Sequence, residues 1–550
     1  MTADASPKSS RWLNACEWTV GLGATVAALW LHVTYLLHAG GLWRDETNSV
    51  HLATTGSFGE MCGQLTHDSF PILFPSLLRF WSETIGGASD LRLRVFGFAV
   101  GLGILFALWL NARLLKTGVP LLPLGLVAMN LAVVRWGDSL RGYGLGCVLM
   151  LVSVGLVWRL SQCMTPARFA LAAVAGILSV QCLYQNAFLF GAACVGGCVV
   201  CLRRREMRNG LIVLAAGVPA ALSLLPYLRP LQRAQDWWVV EKTGFSEDRL
   251  LQTLGDAAGA GNPWMNWVWL GLLFLVAVVG LAMLKSSRED TLEVSGEVRV
   301  FGAVMLLTGL AGFGVFIQLA QLPTQTWYWL PLLAFGGMCF ECVLCHGSRN
   351  VRVARLLLII AIALGTFQTN LRFAGCRQTN MDRIAEHLAK RVGPADLIVV
   401  HPWYLSVSFN RYYHGPAKWR TLPPISDYHI HRYDLVKAQL MSASPVEEVL
   451  ADVKNILRAG GRVWVVGAIP SVQPGQLPPA DPPPAPNELL GWNDGGYSSI
   501  WGTQFACLLA ENAAELREEI VGDDECVIGF ESVPLQVASG NKPAAPDANQ

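Results

Sequence analysis

Three short stretches bring carboxylates beside arginine, histidine or tyrosine. Arg44, Asp45 and Glu46 follow one another in "LWRDETNSVHLA" (42–53); His67 and Asp68 stand together in "LTHDSFPILFPSLLRFW" (65–81); Asp138, Arg141 and Tyr143 share "RWGDSLRGYGL" (135–145). A carboxylate can take the proton of an attacking hydroxyl. An arginine, or a cation held by carboxylates, can steady the charge that gathers on a departing phosphate. A single charged group at a helix end is an ordinary interfacial cap, so the weight of these residues depends on the elements that carry them.

Those elements are membrane helices. Of the 550 residues 53% are hydrophobic and 15% charged, against roughly 25% charged in soluble domains. The net charge of +1 gives neither the basic footprint of a nucleic-acid binder nor an acidic-substrate funnel, so no nucleic-acid partner is expected. Apolar runs of spanning length fall near 17–38, 93–115, 120–136, 140–158, 167–185, 187–202, 210–228, 264–284, 299–320, 326–344 and 354–371, about eleven in all. The polar start "MTADASPKSSR" has no small-residue cleavage site after the first run, so 17–38 reads as a retained signal-anchor helix.

Basic residues cluster at Arg113/Lys116, Arg159/Arg168, Arg203 to Arg208, Lys285/Arg288 and Arg349/Arg352/Arg355, all in alternate loops. The positive-inside rule makes these loops, and the N-terminus, cytoplasmic. Loops 39–92, 136–140, 229–263 and 321–325, and the chain after 372, are then extracytoplasmic. All three carboxylate clusters thus come to one face of the membrane, where ionisable groups point to function. Transfer from a phosphate-linked lipid would use such a set, with apolar walls to hold a prenyl chain.

"LWRDETNSVHLA", followed by "HDSFPILFPSLLRFW" and "LRGYGL", resembles the first extracytoplasmic loop of the GT-C glycosyltransferases, in particular the bacterial relatives of protein O-mannosyltransferases and of the lipid A aminoarabinose transferase (family 39-like). The resemblance covers residues about 15–230 and implies transfer, with inversion, from a polyprenyl-phosphate sugar donor to an unidentified extracytoplasmic acceptor. It makes Asp45 the catalytic base or the carboxylate orienting the acceptor, with Glu46 its neighbour. His67, Asp68 and Asp138 become supporting residues, Asp68 and Asp138 the candidates to hold a divalent cation. Arg141 and Tyr143 would orient them or meet the donor phosphate. Two departures stand out: Phe70-Pro71 replaces the usual Pro-Pro, and Thr47-Asn48 replaces a basic residue after Asp-Glu. Arg44, or Arg229 in "LLPYLRP", would then substitute at the phosphate.

The loop "RPLQRAQDWWVVEKTGFSEDRL" (229–250) reads either as an interfacial segment anchored by Trp237 and Trp238 or as a lid carrying Arg233 or Lys242 to the phosphate. Trp327, Tyr328 and Trp329 read as an aromatic belt. "CFECVLCH" (339–346) contains a haem-attachment spacing, but the topology puts it on the cytoplasmic side beside three arginines, so no haem is expected.

From about 377 the chain becomes soluble in character. "ADLIVV" (395–400) and "RVWVVGA" (462–468) read as buried strands around the helix "SPVEEVLADVKNILRAGG" (444–461), capped by Ser444. Together they imply a small α/β layer. Residues 469–486 read as a Pro-rich loop, 501–519 as helix, 526–535 as strand and 539–550 as a disordered tail. His401, His414, Asp427, His429 and His431 crowd one stretch (399–434) that has the residue types of a metal site but not its paired spacing, and that otherwise reads as carbohydrate or acceptor recognition by its Trp, Tyr and Arg residues or as packing. Cys507 and Cys526 are candidates for a disulfide.

The fold class expected is therefore a polytopic α-helical membrane protein with a C-terminal extracytoplasmic α/β domain. The expected division is a membrane domain over 1–376, the α/β domain over 377–538 and the tail, with the protein in the cytoplasmic membrane of a cell envelope. A transporter or flippase of a lipid-linked or small polar substrate is the alternative; it would carry polar breaks at mid-membrane and internal repeats, whereas these spans are interrupted mainly by Gly and Pro and show no repeat. A non-catalytic membrane scaffold presenting residues 377–535 to a partner is the second rival.

Overall fold

The structure is a computed structural model that describes residues 7–541 apart from 69, 88, 241–245, 286–293, 322, 474, 523–525 and 528–530. Two compact units emerge. The first comprises residues 1–38, 70–228 and 244–375; the second comprises 39–69, 229–243 and 376–550.

The first unit is helical. Its main helices are α1 (Pro7–His38), then, beyond the short α2 (Arg44–Ala53) of the second unit, α3 (Asp90–Leu114), α4 (Leu131–Gly137), α5 (Gly142–Gln162), α6 (Pro166–Val180) and α7 (Asn186–Arg203). After α8 (Leu228–Trp238), which belongs largely to the second unit, come α9 (Trp264–Lys285), α10 (Val294–Ala320), α11 (Leu330–Leu344) and α12 (Arg349–Ala374). Among the described residues nine helices are long and apolar enough to cross a membrane. The protein is a polytopic α-helical membrane protein.

Two of the eleven apolar runs fold differently from a full span. The run at 167–185 gives the 15-residue α6. The run at 120–136 breaks: Leu121–Pro123 and a wide turn over Leu124–Ala128 stop at Met129, and Asn130 restarts the chain as α4, its side chain accepting from the Ala132 and Val133 N–H groups. Buried charges inside this unit include paired ones, as burial favours. Arg355 meets Glu341, whose second oxygen accepts from the Leu122 N–H at 3.0 Å. Cys339, Cys342 and Cys345 are buried in and just after α11. Trp327 and Trp329 are buried too, Trp327 against Trp136 at 4.6 Å, so they pack inward rather than forming a lipid-facing belt.

The second unit holds a five-stranded sheet in the order β2-β1-β3-β5-β4, formed by β1 (Leu397–Val400), β2 (Lys418–Thr421), β3 (Val463–Val466), β4 (Ala513–Glu519) and β5 (Leu535–Asn541). β1 runs parallel to β2 and β3, while β5 pairs antiparallel with β3 and β4. Helix α13 (Met381–Arg391) packs with Ile398, Val400, Trp464 and Val466 on one face; α14 (Glu447–Arg458) and α15 (Asp494–Asn512) pack with Leu397, Val399, Val463 and Val465 on the other. Alternate residues point to opposite faces, and both faces are covered over β1 and β3, which is why these two strands are apolar throughout.

The α/β layer is as the sequence implies, with four corrections. The helix expected from Ser444 begins at Glu447, and the Ser444 hydroxyl turns to Asp481 instead. The helix expected over 501–519 ends at Asn512, and 513–519 is an edge strand. The strand expected over 526–535 begins only at Leu535 and runs to Asn541, through the first residues of the expected tail; 542–550 lie outside the described residues. The disulfide joins Cys376 to Cys526, leaving Cys507 a buried thiol.

Candidate functional site

In the second unit the site begins where α2 starts. Gly40 has a φ of +68° and a Cβ there would strike the Arg377 guanidinium, so only glycine lets the chain turn at this point. The Gln378 N–H bonds the Ala39 carbonyl, and the Leu42 N–H donates to the Tyr412 hydroxyl at 2.6 Å. Glu46, fully buried, accepts from the Trp43 N–H at 3.3 Å. Its place is at the closure of the helix start, a usual position for an acid three residues into a helix.

Arg44 lies over the Tyr404 ring at 4.4 Å, with Asp45 at 3.7 Å and the buried Glu531 also at 3.7 Å. The Arg44 N–H donates to Glu531 as well, at 3.1 Å. Burial would lower the Arg44 pKa, but Asp45 and then Glu531 outweigh it and hold the guanidinium above its ordinary value. Burial pushes the Glu531 carboxyl up to about 7, and Arg44 offsets only part of that.

Asp45 keeps a fifth of its side chain exposed, and its Oδ1 lies 3.4 Å from Nε2 of His431. The same segment is held twice more by α2. The His431 N–H donates to Asn48 Oδ1 at 2.7 Å, and His51 Nδ1 bonds the His429 carbonyl at 2.6 Å with the two imidazoles stacked at 4.5 Å. Burial draws the His51 pKa down to about 4, so at neutral pH its ring is uncharged.

His67 stacks on Trp237 at 5.0 Å, with Asp434 at 3.9 Å; burial lowers its pKa. Asp434 and Asp427 both grip Arg432. Asp68 is buried at the end of the turn Leu65–His67. Arg229 and Arg233 are exposed on α8, and Lys242 lies outside the described residues.

In the first unit Asp138 sits buried at the end of α4, both oxygens within 2.9 Å of His32 Nδ1 from α1. Glycines on α3 make room: a Cβ on Gly97 would lie 1.9 Å from the Asp138 carbonyl, and one on Gly101 1.9 Å from its Oδ1. Arg141, buried at the start of α5, lies over the Phe70 ring at 4.4 Å, and Tyr143 meets the same ring edge-on at 5.0 Å.

Asp68 and Asp138 belong to different units. Asp138 spends both oxygens on one histidine, and among the described residues no group of three or more His, Cys, Asp or Glu side chains is arranged to hold a metal ion. Asp138, held in this way, does not fit a cation ligand.

Arg44 and Asp45 are conspicuous in the sequence, and what they meet is not. Glu531 lies in no motif, and His431 stands in an aromatic, histidine-rich stretch. His32 did carry a signal, an ionisable side chain within an apolar run.

No protein-family model matches the chain, and no curated protein does. Among solved structures it is similar to the apo crystal structure of ArnT from Cupriavidus metallidurans, at 12% identity and a TM-score of 0.49 over 82% of this chain and 93% of that one. It is also similar to an oligosaccharyltransferase from Archaeoglobus fulgidus crystallised with Zn and sulfate, at 13% identity and a TM-score of 0.45 over 80% of this chain and 67% of that one. Archaeal AglB from the same organism, in complex with an inhibitory peptide and a dolichol-phosphate, gives 12% and 0.45 over 84% and 70%.

Proposed function

We propose that this protein is a membrane glycosyltransferase of the GT-C type, moving a sugar from a polyprenyl-phosphate donor to an extracytoplasmic acceptor with inversion. The observation that carries the reading is Asp45, a partly exposed carboxylate in the first turn of α2, between a guanidinium and an imidazole. The order of the three carboxylate-bearing stretches along the chain supports it. An otherwise well-packed element that leaves a carboxylate open to solvent suits proton removal from a hydroxyl.

In this reading the acceptor O–H gives its proton to Asp45 as its oxygen bonds the anomeric carbon. The bond from that carbon to the phosphate breaks, and the phosphate keeps the electron pair. Arg44 holds charge on Asp45 and Glu531, so its part is to fix the base. The N-terminus is cytoplasmic and the sheet-bearing unit is extracytoplasmic.

The test is sugar release or transfer in proteoliposomes supplied with polyprenyl-phosphate sugars. Asp45→Asn should lower the rate by about 10²- to 10⁴-fold, the range for loss of a general base, with its thermal unfolding unchanged. Equal rates for a folded Asp45→Asn and the parent would sink the reading.

A further inference from the structure

We propose that His431 is the proton-relay and positioning partner of Asp45, so that the acceptor is activated by a carboxylate–imidazole pair rather than by a lone carboxylate. The inference rests on the transfer reaction proposed above.

The geometry begins with helix spacing. Asp45, Asn48 and His51 are three residues apart and so lie along one face of α2. All three meet the segment 429–431: Asp45 at the His431 ring, Asn48 at the His431 N–H, His51 at the His429 carbonyl and ring. Three consecutive contacts fix the imidazole against the carboxylate more tightly than one could.

The burial of His431 points the same way. Its side chain is 8% exposed, and among the described residues neither ring nitrogen makes a hydrogen bond. An unmet buried polar atom costs about 1–3 kcal/mol, which the fold tolerates where the group has other work to do. The carboxylate that faces this ring is Asp45. Trp403 stands edge-on to it at 6.0 Å and Tyr433 lies at 6.1 Å, both screening it from water. Among the described residues, the other titratable or charged groups near the pair include Arg44, Glu531 and Tyr404 on the Asp45 side, Tyr433 on the His431 side, His51 on α2 and His429 opposite it.

Chemically the relay completes the proton's path. The acceptor proton arrives on Asp45, passes to Nε2 of a neutral His431, and leaves an imidazolium beside a regenerated carboxylate. The apo separation of 3.4 Å is of the kind that tightens when substrate binds.

The experiment uses the full chain, labelled with ¹⁵N-histidine in detergent, and follows each imidazole by its ring ¹⁵N resonances. The His431 signal is the one lost in His431→Gln. In Asp45→Asn the His431 ring ¹⁵N resonances should move at fixed pH, because the carboxylate facing the ring is lost. Unmoved resonances overturn the pair.

In the proteoliposome assay His431→Gln should lower kcat about 10- to 100-fold and shift the acid limb of the pH–kcat profile downward, with KM for the lipid donor unchanged. If Asp45→Asn abolishes transfer but His431→Gln leaves kcat and profile as they were, the relay is overturned and the transfer reading stands. Absence of transfer by the parent protein sinks the transfer reading and the relay with it, even where the resonances show the pair.

Discussion

Two buried residues carry the sharpest single-site expectations. Glu531 is held up at about 7, above the ordinary 4.5, chiefly because burial disfavours its charge. A carboxyl raised in the folded state makes folding favour the protonated form. Its contribution is therefore fully present below about 4.5 and is lost as pH rises through about 7. Thermal unfolding of the parent and Glu531→Gln across pH 5–8 should show the stability difference between them changing by about 1–3 kcal/mol over that window; parallel curves would contradict the assignment. Gly101 is the second. A methyl group there would press on Asp138 Oδ1 and come within 2.7 Å of His32 Nδ1, so Gly101→Ala should destabilise the helical unit by about 1–3 kcal/mol. Gly271→Ala, whose added carbon would meet nothing within 4 Å, should be neutral or stabilising in the same melts. Comparable losses in both would mean that any added methyl is harmful and that the approach of Asp138 is not the reason.

At the level of elements, α2 is the short helix on which the site depends, and its docking stripe is testable without any substrate. Asn48→Ala removes the acceptor for the buried His431 N–H, which should cost about 1–3 kcal/mol and raise hydrogen exchange at residues 429–431. Slow exchange there in the variant would show that the segment is held by other contacts. The stripe also shows what the sequence could and could not reveal. Arg44 and Asp45 stand out because charges at the end of an apolar run are conspicuous, and β1 and β3 because both are unbroken apolar runs beside an amphipathic helix. Asn48 and His51 look like any polar residues of a short helix until the segment they grip is known, and that segment lies hundreds of positions along the chain. β4 misleads for a related reason. "AAELREE" favours helix locally, yet it pairs antiparallel with β5 from Ala513 to Glu519, and pairing overrides a weak local preference. The 120–136 run misleads because total hydropathy hides Asn130, whose side chain ends one helix and starts the next.

For the whole molecule, composition alone identified a membrane protein, because so few charges cannot clothe a soluble chain of this length. It could not show that residues 39–69 and 229–243 group with the sheet-bearing unit, since grouping is decided by contacts and not by order along the chain. One covalent bond bears on that unit as a whole. Cys376, where the last helix gives way to the sheet domain, is joined to Cys526 across a sequence separation of 150. A crosslink of that span restricts the unfolded chain strongly, so reduction or Cys526→Ser should destabilise the second unit by about 2–5 kcal/mol. Near-ultraviolet circular dichroism of its buried Trp403, Trp464 and Trp501 should melt at lower temperature, while the far-ultraviolet helical signal, dominated by the first unit, should change little. The same bond also tests the proposed orientation, because such bonds persist in oxidising compartments and not in the cytosol. Thiol labelling of the protein taken directly from cells should leave Cys376 and Cys526 unmodified until reductant is added. Free thiols at both positions in the freshly isolated protein would place this unit on the cytoplasmic side and overturn the topology on which the transfer reaction depends.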